Sequence, residues 1–330
     1  MVLKALERAD GGETALLRVL TYHRVAEPGE YPYLSPIILS ATPGGFRSQM
    51  QFVASVYTPV SIQTVFEHLD SGKPLPRRAV LVTFDDAYRC FAQHAWSTLK
   101  ELGIPVVLFV ATAFPDDLTR SFWWDRLYHA LETTQKRTLI SRGVVLSLKT
   151  AGDRTRAYKE LRTQIKSLPH EPAMQLVDRL CEQLQVTDYG DNGVLTWSAL
   201  KQLADEGVTL GAHTRTHPLL NRISEAVAEE EAVGSLEDLR QQVGSTLPIF
   251  AYPSGGANPA VAARLREAGF RIAFTTARGI NRMDDSDALL LRRINVGRHT
   301  SLNLMRAQLV TSPPFGVARP TVRPSAWSEA

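Results

Sequence analysis

The sequence predicts an α/β fold: a distorted (β/α)7-type barrel that carries a largely helical insertion. Three observations lead to this prediction. The apolar, β-branched run Ala79–Phe84 is typical of a strand that is buried on both faces, as the strands of parallel sheets are. A helix end, a glycine and a new strand follow one another three times, at Gly103, Gly207 and Gly269. The 330 residues, 44% of them hydrophobic, could form one large domain or two ordinary ones around a buried core.

The order of the predicted elements indicates repeated strand–helix units. Strands are predicted at residues 17–21, Ala79–Phe84, 104–110, 208–212, 247–251, 270–275 and 289–296. Helices are predicted at residues 88–101, Glu225–Val243 and 259–268. This count favours a closed barrel over an open two-layer sheet, although periodicity alone does not require closure.

The alternation of strands and helices lapses between about residue 114 and residue 195. This stretch includes Phe122-Trp123-Trp124-Asp125, and residues 154–184 show the pattern of an amphipathic helix broken at Pro169 and Pro172. We therefore predict an N-terminal extension at 1–16, a barrel at 17–311 with an insertion at about 114–195, and a proline-rich tail at 312–330.

Composition argues against several classes of function. The net charge is +3 and the Lys and Arg residues are scattered, so no nucleic-acid-binding face is predicted. The two cysteines, Cys90 and Cys181, lack metal-binding spacing, which favours free thiols in a reducing compartment. The N-terminus lacks the apolar stretch of a signal peptide, and no segment is long enough to span a bilayer. We therefore predict a cytoplasmic protein, although a chain trimmed of its export signal would look the same.

Two pairs of reactive side chains follow predicted strands. His213 and His217 come after the strand at 208–212, and Asp85 and Asp86 come after the strand at 79–84. Parallel barrels place their active sites at these carboxyl ends. One carboxylate and two imidazoles supply the three protein ligands of a catalytic zinc, and the other carboxylate is then free to act as a general base. Taken singly, the histidines could be surface residues and one aspartate could merely cap the next helix.

Two further segments also follow predicted strands. His23 alone would be taken as a structural residue, but beside a metal and a base it is the best candidate for the general acid, with His299 as the fallback. A backbone N–H exposed by the turn at Tyr252-Pro253-Ser254 could donate to an oxyanion, or the segment could be a turn and nothing more. Ser254 is not a nucleophile of the Gly-x-Ser-x-Gly type, because residue 252 is tyrosine.

Three motifs, in this order, resemble those of the polysaccharide deacetylases, carbohydrate esterase family 4. They are Thr83-Phe84-Asp85-Asp86, His213-Thr214-x-x-His217 and Phe250-Ala251-Tyr252-Pro253-x-Gly255. The resemblance implies a barrel with fewer than eight repeats and a divalent metal held by Asp86, His213 and His217. Zinc is the usual metal, with Ni²⁺ and Co²⁺ as alternatives. The resemblance also implies that Asp85 is the base that activates the attacking water, and that the Ser254 N–H helps to stabilise the oxyanion.

The chain departs from the family pattern in three places. Ala87 replaces the glycine that usually follows the aspartate pair. Ala251 stands where the family often has an arginine that braces the base, and Arg293 on a neighbouring strand is a candidate substitute. The C-terminal Leu-x-His motif that normally carries the acid is missing. However, Thr21-Tyr22-His23-Arg24-Val25 resembles the N-terminal motif of a permuted branch, the poly-N-acetylglucosamine deacetylases, which implies that His23 is the acid.

These motifs predict an enzyme that removes N-acetyl groups from an N-acetylated sugar or polysaccharide and releases acetate. Trp123, Trp124, Tyr252 and Pro253 are the candidates for substrate binding, although the two tryptophans could equally pin the insertion to the barrel. The alternatives are an O-acetyl esterase, a hydrolase of a non-sugar amide, or a glycan-binding protein without catalytic activity. The expected partner is an N-acetylated glycan, and the sequence leaves the oligomeric state open.

Overall fold

The computed structural model of this chain describes residues 14–117, 119–186, 189 and 191–311. In these ranges the strands are β1 (Leu16–Tyr22), β2 (Arg24–Val25), β3 (Leu39–Ala41), β4 (Thr58–Pro59), β5 (Ala79–Phe84), β6 (Val106–Val110), β7 (Thr138–Ser141), β8 (Val144–Ser147), β9 (Thr209–Ala212), β10 (Ile249–Ala251), β11 (Ile272–Arg278), β12 (Asn281–Arg282) and β13 (Leu291–Asn295). The α-helices are α1 (Pro43–Val56), α2 (Ile62–Ser71), α3 (Trp96–Glu101), α4 (Trp123–Thr133), α5 (Ala151–Lys166), α6 (His170–Leu184), α7 (Trp197–Asp205), α8 (Glu225–Val243), α9 (Pro259–Glu267) and α10 (Leu302–Val310).

Seven parallel strands close into a barrel. Their order around it is β1, β13, β11, β10, β9, β6 and β5, and β5 pairs back to β1 with Leu17 opposite Ala79 and Tyr22 opposite Phe84. The circle is irregular, because β12 runs antiparallel along the start of β1 and β4 pairs with the start of β5. The predicted distorted (β/α)7-type barrel is therefore confirmed.

Side chains along the barrel strands alternate between the interior and the outer helical layer. On β5, Ala79 and Leu81 belong to the cluster inside the barrel, whereas Val80 and Val82 belong to the cluster between the strands and the helices. The inner cluster draws on six of the seven strands, with members Leu17, Val19, Ala79, Leu81, Val107, Phe109, Ile249, Ala251, Ile272, Phe274 and Leu291. This period of two, together with burial on both faces, explains why the barrel strands are apolar throughout.

The same alternation aims the first polar residues of β1 and β5 into the barrel. Thr21 and Thr83 are the next inward positions after the apolar ones, and their hydroxyl groups form a 2.7 Å hydrogen bond with each other. His23 and Asp85 follow two residues later and continue the inward rows just beyond the strands. The pleat of two strands therefore brings an imidazole and a carboxylate to the mouth of the barrel.

The predicted strands are all present, with ends that differ by no more than three residues. Gly103, Gly207 and Gly269 have φ values of +62°, +102° and +91°, so the left-handed backbone expected after each helix is confirmed. The helix predicted at 88–101 is wrong in its first part. Tyr88 forms an isolated β-bridge with Val194, and the chain enters α3 only through a π-helical turn at Phe91–Ala95.

Between β6 and α7 the chain forms a unit with its own apolar core. It contains α4, the hairpin β7–β8, α5 and α6, and Leu127, Leu161 and Leu180 pack together within it. Pro169 stands at the N-terminal cap of α6, as the expected break requires, but Pro172 lies in the first turn of that helix. The second expected break is therefore wrong, because a proline in the first turn removes no intrahelical hydrogen bond. The hairpin was not predicted.

Two predicted segments fall largely or wholly on residues that lie outside the described ranges. Residues 1–13 of the expected N-terminal extension and all of the expected tail at 312–330 are among them. Within the described ranges, no helix combines the length and the apolar character needed to cross a bilayer.

Candidate active site

The carboxyl ends of the barrel strands surround a cavity of about 270 Å³. His23 follows β1, Asp85 and Asp86 follow β5, and His213 and His217 follow β9, and all five line this cavity. The structure therefore brings together residues that are up to 194 positions apart in the sequence, His23 and His217.

Asp86, His213 and His217 form a compact buried group. The Oδ1 atom of Asp86 lies 3.5 Å from Nε2 of His213 and 3.4 Å from Nε2 of His217, and the ligand atoms of all three lie within 4.8 Å of one another. Asp86 Oδ1 is buried without a hydrogen-bond partner. A buried carboxylate oxygen that faces two imidazole nitrogens is an unfavourable arrangement for the protein alone, and a cation among these atoms would satisfy it. The residues present therefore fit a divalent metal.

The orientation of His213 suits a metal ligand. Its Nδ1 donates to the carbonyl oxygen of Ala251 at 2.6 Å, because a carbonyl can only accept. This bond leaves the lone pair of Nε2 directed towards Asp86. Burial alone would lower the pKa of His213, but the carboxylates of Asp86 and Asp85 raise it.

His217 is held mainly by aromatic rings. Its imidazole makes edge contacts with Trp124, at a centroid distance of 4.9 Å, and with Phe122, at 5.4 Å. Burial among these rings lowers the pKa of His217, which favours the neutral form that binds metals. Burial opposes ionisation of Asp86, but the neighbouring His213 and His217 hold its pKa well below the usual range.

The backbone adopts left-handed conformations at two of the metal-ligand candidates and at the residues that follow Asp86 and His213. The φ angles are +71° at Asp86, +50° at Ala87, +66° at Thr214 and +62° at His217. The Thr214 hydroxyl accepts from the His217 N–H at 3.0 Å and stabilises that turn. Such strain at non-glycine residues concentrates at functional sites. The departure of Ala87 from the family's glycine is therefore a real cost, since glycine would adopt this φ freely.

Asp85 forms a buried ion pair with Arg293. Nη1 and Nη2 of Arg293 donate to the two carboxylate oxygens at 2.8 Å and 2.7 Å, and Nε donates to the Thr275 carbonyl at 2.8 Å. The Arg293 side chain is fully buried on β13. Burial would raise the pKa of Asp85, but the charge of Arg293 outweighs it and keeps the pKa below the usual range. In the family pattern described above, an arginine at position 251 would contact the base carboxylate. In this chain Arg293 on β13 makes the contact with Asp85.

The acid candidates His23 and His299 lie in different places. His23 is half-buried on the wall of the cavity with the two aspartates, and its backbone N–H donates to the Ser40 hydroxyl at 2.9 Å. His299 lines a separate cavity beside Arg298. Of the two histidines, His23 therefore shares a cavity with Asp85 and Asp86, and His299 does not.

Ser254 also lines the cavity that holds Asp85 and Asp86. It is exposed, has a φ of +50°, and lies in the 3-10 turn Pro253–Gly255 that follows β10. Backbone N–H groups in a first helical turn have no partner within the helix. The Ser254 N–H is thus available for a ligand, as an oxyanion donor must be.

Tyr252 and Pro253 do not occupy the places expected of substrate-binding side chains. Tyr252 is fully buried, its ring packs against Phe250, and its hydroxyl donates to the Leu289 carbonyl at 3.0 Å. Pro253 is buried as well. The expectation that Tyr252 stacks on a sugar is therefore corrected: the outward positions of β10 face the helical layer, and residue 252 continues that row.

The tryptophan pair at the start of α4 contacts the barrel and also lines the cavity at the barrel mouth. Trp124 is almost fully buried, and its indole N–H donates to the Tyr88 hydroxyl at 3.0 Å, which ties the insertion to the barrel. Trp123 is less buried and packs at right angles to Trp124, with ring centroids 5.7 Å apart. Both line the cavity that holds Asp85 and Asp86, and their contact with a sugar stays a prediction.

Several cavity-lining residues were not predicted. Arg162 and Lys166 reach the cavity from α5, and Asn295 reaches it from the end of β13. Asn295 could have been predicted as a site residue from its position at the end of a strand, because the other site residues also follow strands. No local pattern distinguishes Arg162 and Lys166 from the other charged residues of an amphipathic helix.

A parallel barrel with a buried Asp/His/His group and a second carboxylate at its strand ends is an arrangement suited to metal-assisted hydrolysis. Residues 72–273 match the family described as polysaccharide deacetylase, and the chain belongs to that family.

Two curated relatives and several solved structures are similar to this chain. The poly-beta-1,6-N-acetyl-D-glucosamine N-deacetylase of Escherichia coli K12 is 23% identical over 257 residues, which cover 77% of this chain and 33% of the relative. The chain thus spans about a third of the length of the curated relatives it matches. Among structures, the Streptococcus pyogenes deacetylase PplD in complex with acetate has a TM-score of 0.59 and 19% identity, covering 89% of this chain and 98% of that one. IcaB from Ammonifex degensii has a TM-score of 0.59 and 20% identity, with coverages of 90% and 97%. These likenesses show the fold.

Proposed function

We propose that this chain is a metal-dependent N-deacetylase that acts on an N-acetylated sugar or polysaccharide. One observation carries the proposal: the buried Asp86–His213–His217 group shares a cavity with a second carboxylate, Asp85. Family membership supports the reaction type, and the names of the Escherichia coli relatives support an N-acetylglucosamine polymer as the substrate class.

Asp86, His213 and His217 would hold the metal, with Zn²⁺ as the first choice and Ni²⁺ and Co²⁺ as alternatives. When bound, the ion supplies Lewis-acid polarisation of the acetamide carbonyl and of the attacking water.

Asp85 is the general base in this proposal. Its ion pair with Arg293 keeps the carboxylate ionised at neutral pH and fixes its orientation, so that it can accept a proton from the attacking water. The water oxygen forms a bond with the acetamide carbon, and the carbonyl oxygen becomes an oxyanion. The Ser254 N–H donates to this oxyanion from the turn after β10.

His23 is the general acid. It faces the same cavity as Asp85 and donates a proton to the nitrogen of the amide as the carbon–nitrogen bond breaks. The products are acetate and a free amino sugar, and the water has supplied the oxygen and the protons. Trp123 forms part of the wall on which the sugar ring would lie.

We further propose that residues 17–311 form the catalytic unit and that the segment at about 114–195 is an insertion in it. The insertion supplies four residues to the cavity wall, namely Trp123, Trp124, Arg162 and Lys166. It therefore contributes to substrate selection as well as to the fold.

The test is acetate release from a panel of substrates by the zinc-loaded protein. N-acetylated oligosaccharides are compared with O-acetylated ones and with a non-sugar acetamide. Turnover of the first group alone supports the proposal, whereas turnover of O-acetyl sugars alone would make the chain an esterase. Binding of glycans without acetate release from any substrate, at full metal occupancy, would indicate a glycan-binding protein.

A further inference from the structure

Two cations on the insertion line the catalytic cavity. Arg162 and Lys166 lie one helical turn apart on α5 and occupy the same cavity wall, opposite the barrel residues. Within the described ranges, neither side chain forms an ion pair with a carboxylate, and Nε of Arg162 is buried without a hydrogen-bond partner. The ring of Tyr158, 5.7 Å from the Arg162 guanidinium, supports this side chain without neutralising it.

The acidic residues of the cavity already have other partners. Asp85 is held by both terminal nitrogens of Arg293, and Asp86 faces His213 and His217. Neither aspartate is therefore left to balance the charges on α5. Like charges four residues apart on a helix also repel each other. The pair thus has a cost that no described residue offsets, and a ligand with negative charge would offset it.

The charges of the substrate and of the product also matter for Arg162 and Lys166. A neutral N-acetylated polymer gains a positively charged amine each time an acetyl group is removed. Two cations in the wall would repel such a product and any neighbouring amino sugar in the chain. An anionic group beside the reacting sugar would instead be attracted to this wall.

We propose that the substrate carries an anionic group, a carboxylate or a phosphate, next to the N-acetylated sugar, and that Arg162 and Lys166 bind it. This inference rests on the proposed deacetylase function. Among N-acetylated sugars and polysaccharides it selects acidic glycans or glycosyl phosphates over a neutral N-acetylglucosamine polymer. Arg162 supplies several N–H donors in one plane and Lys166 a mobile ammonium, a combination suited to either anion. Both are specificity residues that act on the substituent and take no part in bond breaking.

The experiment measures kcat/KM for three oligosaccharides matched in length: a neutral N-acetylglucosamine oligomer, one with a uronic acid beside the N-acetylated sugar, and one with a phosphate in that position. The proteins are the wild type, Arg162→Gln, Lys166→Gln, the double variant, and Lys159→Gln as the control. Lys159 is exposed on the same helix and does not line the cavity, so its loss changes the helix charge equally.

We expect wild-type kcat/KM to be higher by about tenfold or more for at least one anionic oligomer than for the neutral one. The difference should lie mostly in KM, because hydrogen bonds to charged groups contribute roughly this factor to binding. The double variant should lose this preference, because its kcat/KM falls much more for the anionic oligomer than for the neutral one, and Lys159→Gln should behave as the wild type. Added salt should reduce the preference. Which anion is preferred distinguishes an acidic glycan from a glycosyl phosphate.

Two results would overturn the inference and leave the proposed function standing. One is wild-type turnover of the neutral oligomer as fast as of both anionic ones. The other is an equal loss of neutral and anionic turnover in the double variant, which would assign the cations to the reaction itself. Binding of the same oligomers, measured by calorimetry, provides the second readout. If no oligomer releases acetate but an anionic one binds the wild type more tightly than the double variant, the proposed function fails and only the anion-binding role of Arg162 and Lys166 is supported.

Discussion

Asp85 and Asp86 are adjacent in the sequence but are stabilised by different partners. Asp85 pairs with a permanently charged arginine, and Asp86 faces two imidazoles whose charge depends on protonation or metal binding. Their places after a buried strand were visible in the sequence, as were those of His213 and His217. The roles of Arg162 and of Asp125 were not, because each depends on a tertiary contact with no local signature.

At the scale of single residues, loss of one imidazole ligand should abolish metal binding. We expect His217→Ala to lose zinc, and His299→Ala, in a separate cavity, to keep it. Since a ligand that binds only the folded state raises its stability by about 2.7 kcal/mol at one hundred times Kd, zinc should raise the Tm of the wild type and of His299→Ala only. Elemental analysis and calorimetry with and without zinc check this. An equal zinc-induced shift in His217→Ala would remove this residue from the ligand set.

The acid role that we propose for His23 predicts a dependence on the leaving group. His23→Ala should lower kcat on N-acetyl substrates by roughly 10²–10⁴-fold, because an amine cannot depart without a proton. Acetate esters with good leaving groups need less protonation and should be affected much less. Rates of His23→Ala and His299→Ala on both substrate types are the measurement. A negligible effect of His23→Ala on amides would mean that another group is the acid.

Short strands and the turns after them bring the site together at the element scale. The period of two in β1 and β5 carries Thr21 and Thr83 inward and then His23 and Asp85 after them. Strand runs and the glycines that end helices were predictable, because burial on both faces and a positive φ restrict residue type locally. The hairpin β7–β8 was not, since its exposed valines and short length give no clear alternation.

The turn after β10 offers a test at this scale. A Cβ at Gly255, which has a φ of +72°, would meet the backbone nitrogen of Thr276 at 2.8 Å, whereas one at Gly103, with a φ of +62°, would meet nothing within 4 Å. Gly103→Ala should therefore cost about 1–2 kcal/mol of stability from backbone strain alone. Gly255→Ala should cost more and also lower kcat, because it displaces Ser254. Urea unfolding and turnover are measured together, and full activity in folded Gly255→Ala would separate this turn from catalysis.

Two features depend on the whole molecule: the closure of the barrel, and the packing of the segment at about 114–195 against it. No local sequence pattern predicts that β1 pairs with β5. This contact joins residues about sixty positions apart, and it depends on the combined twist of all seven strands. The insertion is fastened by polar contacts that include Asp125 on α4. Its carboxylate accepts from the Ser35 N–H at 2.6 Å and from the Tyr88 hydroxyl at 2.5 Å.

The burial of Asp125 predicts a specific pH dependence of stability. Burial raises the pKa of Asp125 to about 7, from near 4 in the unfolded chain. The folded state then binds the extra proton, so this contribution to stability is fully present below about pH 4 and is lost as the pH rises to about 7. The unfolding free energy of the wild type relative to Asp125→Asn should decline across that window and then level off. Urea unfolding of both proteins from pH 4 to 8 checks this, and a constant difference would show that Asp125 is ionised throughout.

The central claim is that Asp85 is the base of a metal-dependent deacetylase. Its most direct test compares acetate release from an N-acetylated oligosaccharide by the zinc-loaded wild type and by Asp85→Asn, with zinc content measured in both. We predict turnover by the wild type, and in Asp85→Asn an equal zinc content with activity reduced by at least about 10²-fold. Near-normal acetate release by zinc-loaded Asp85→Asn would contradict this account.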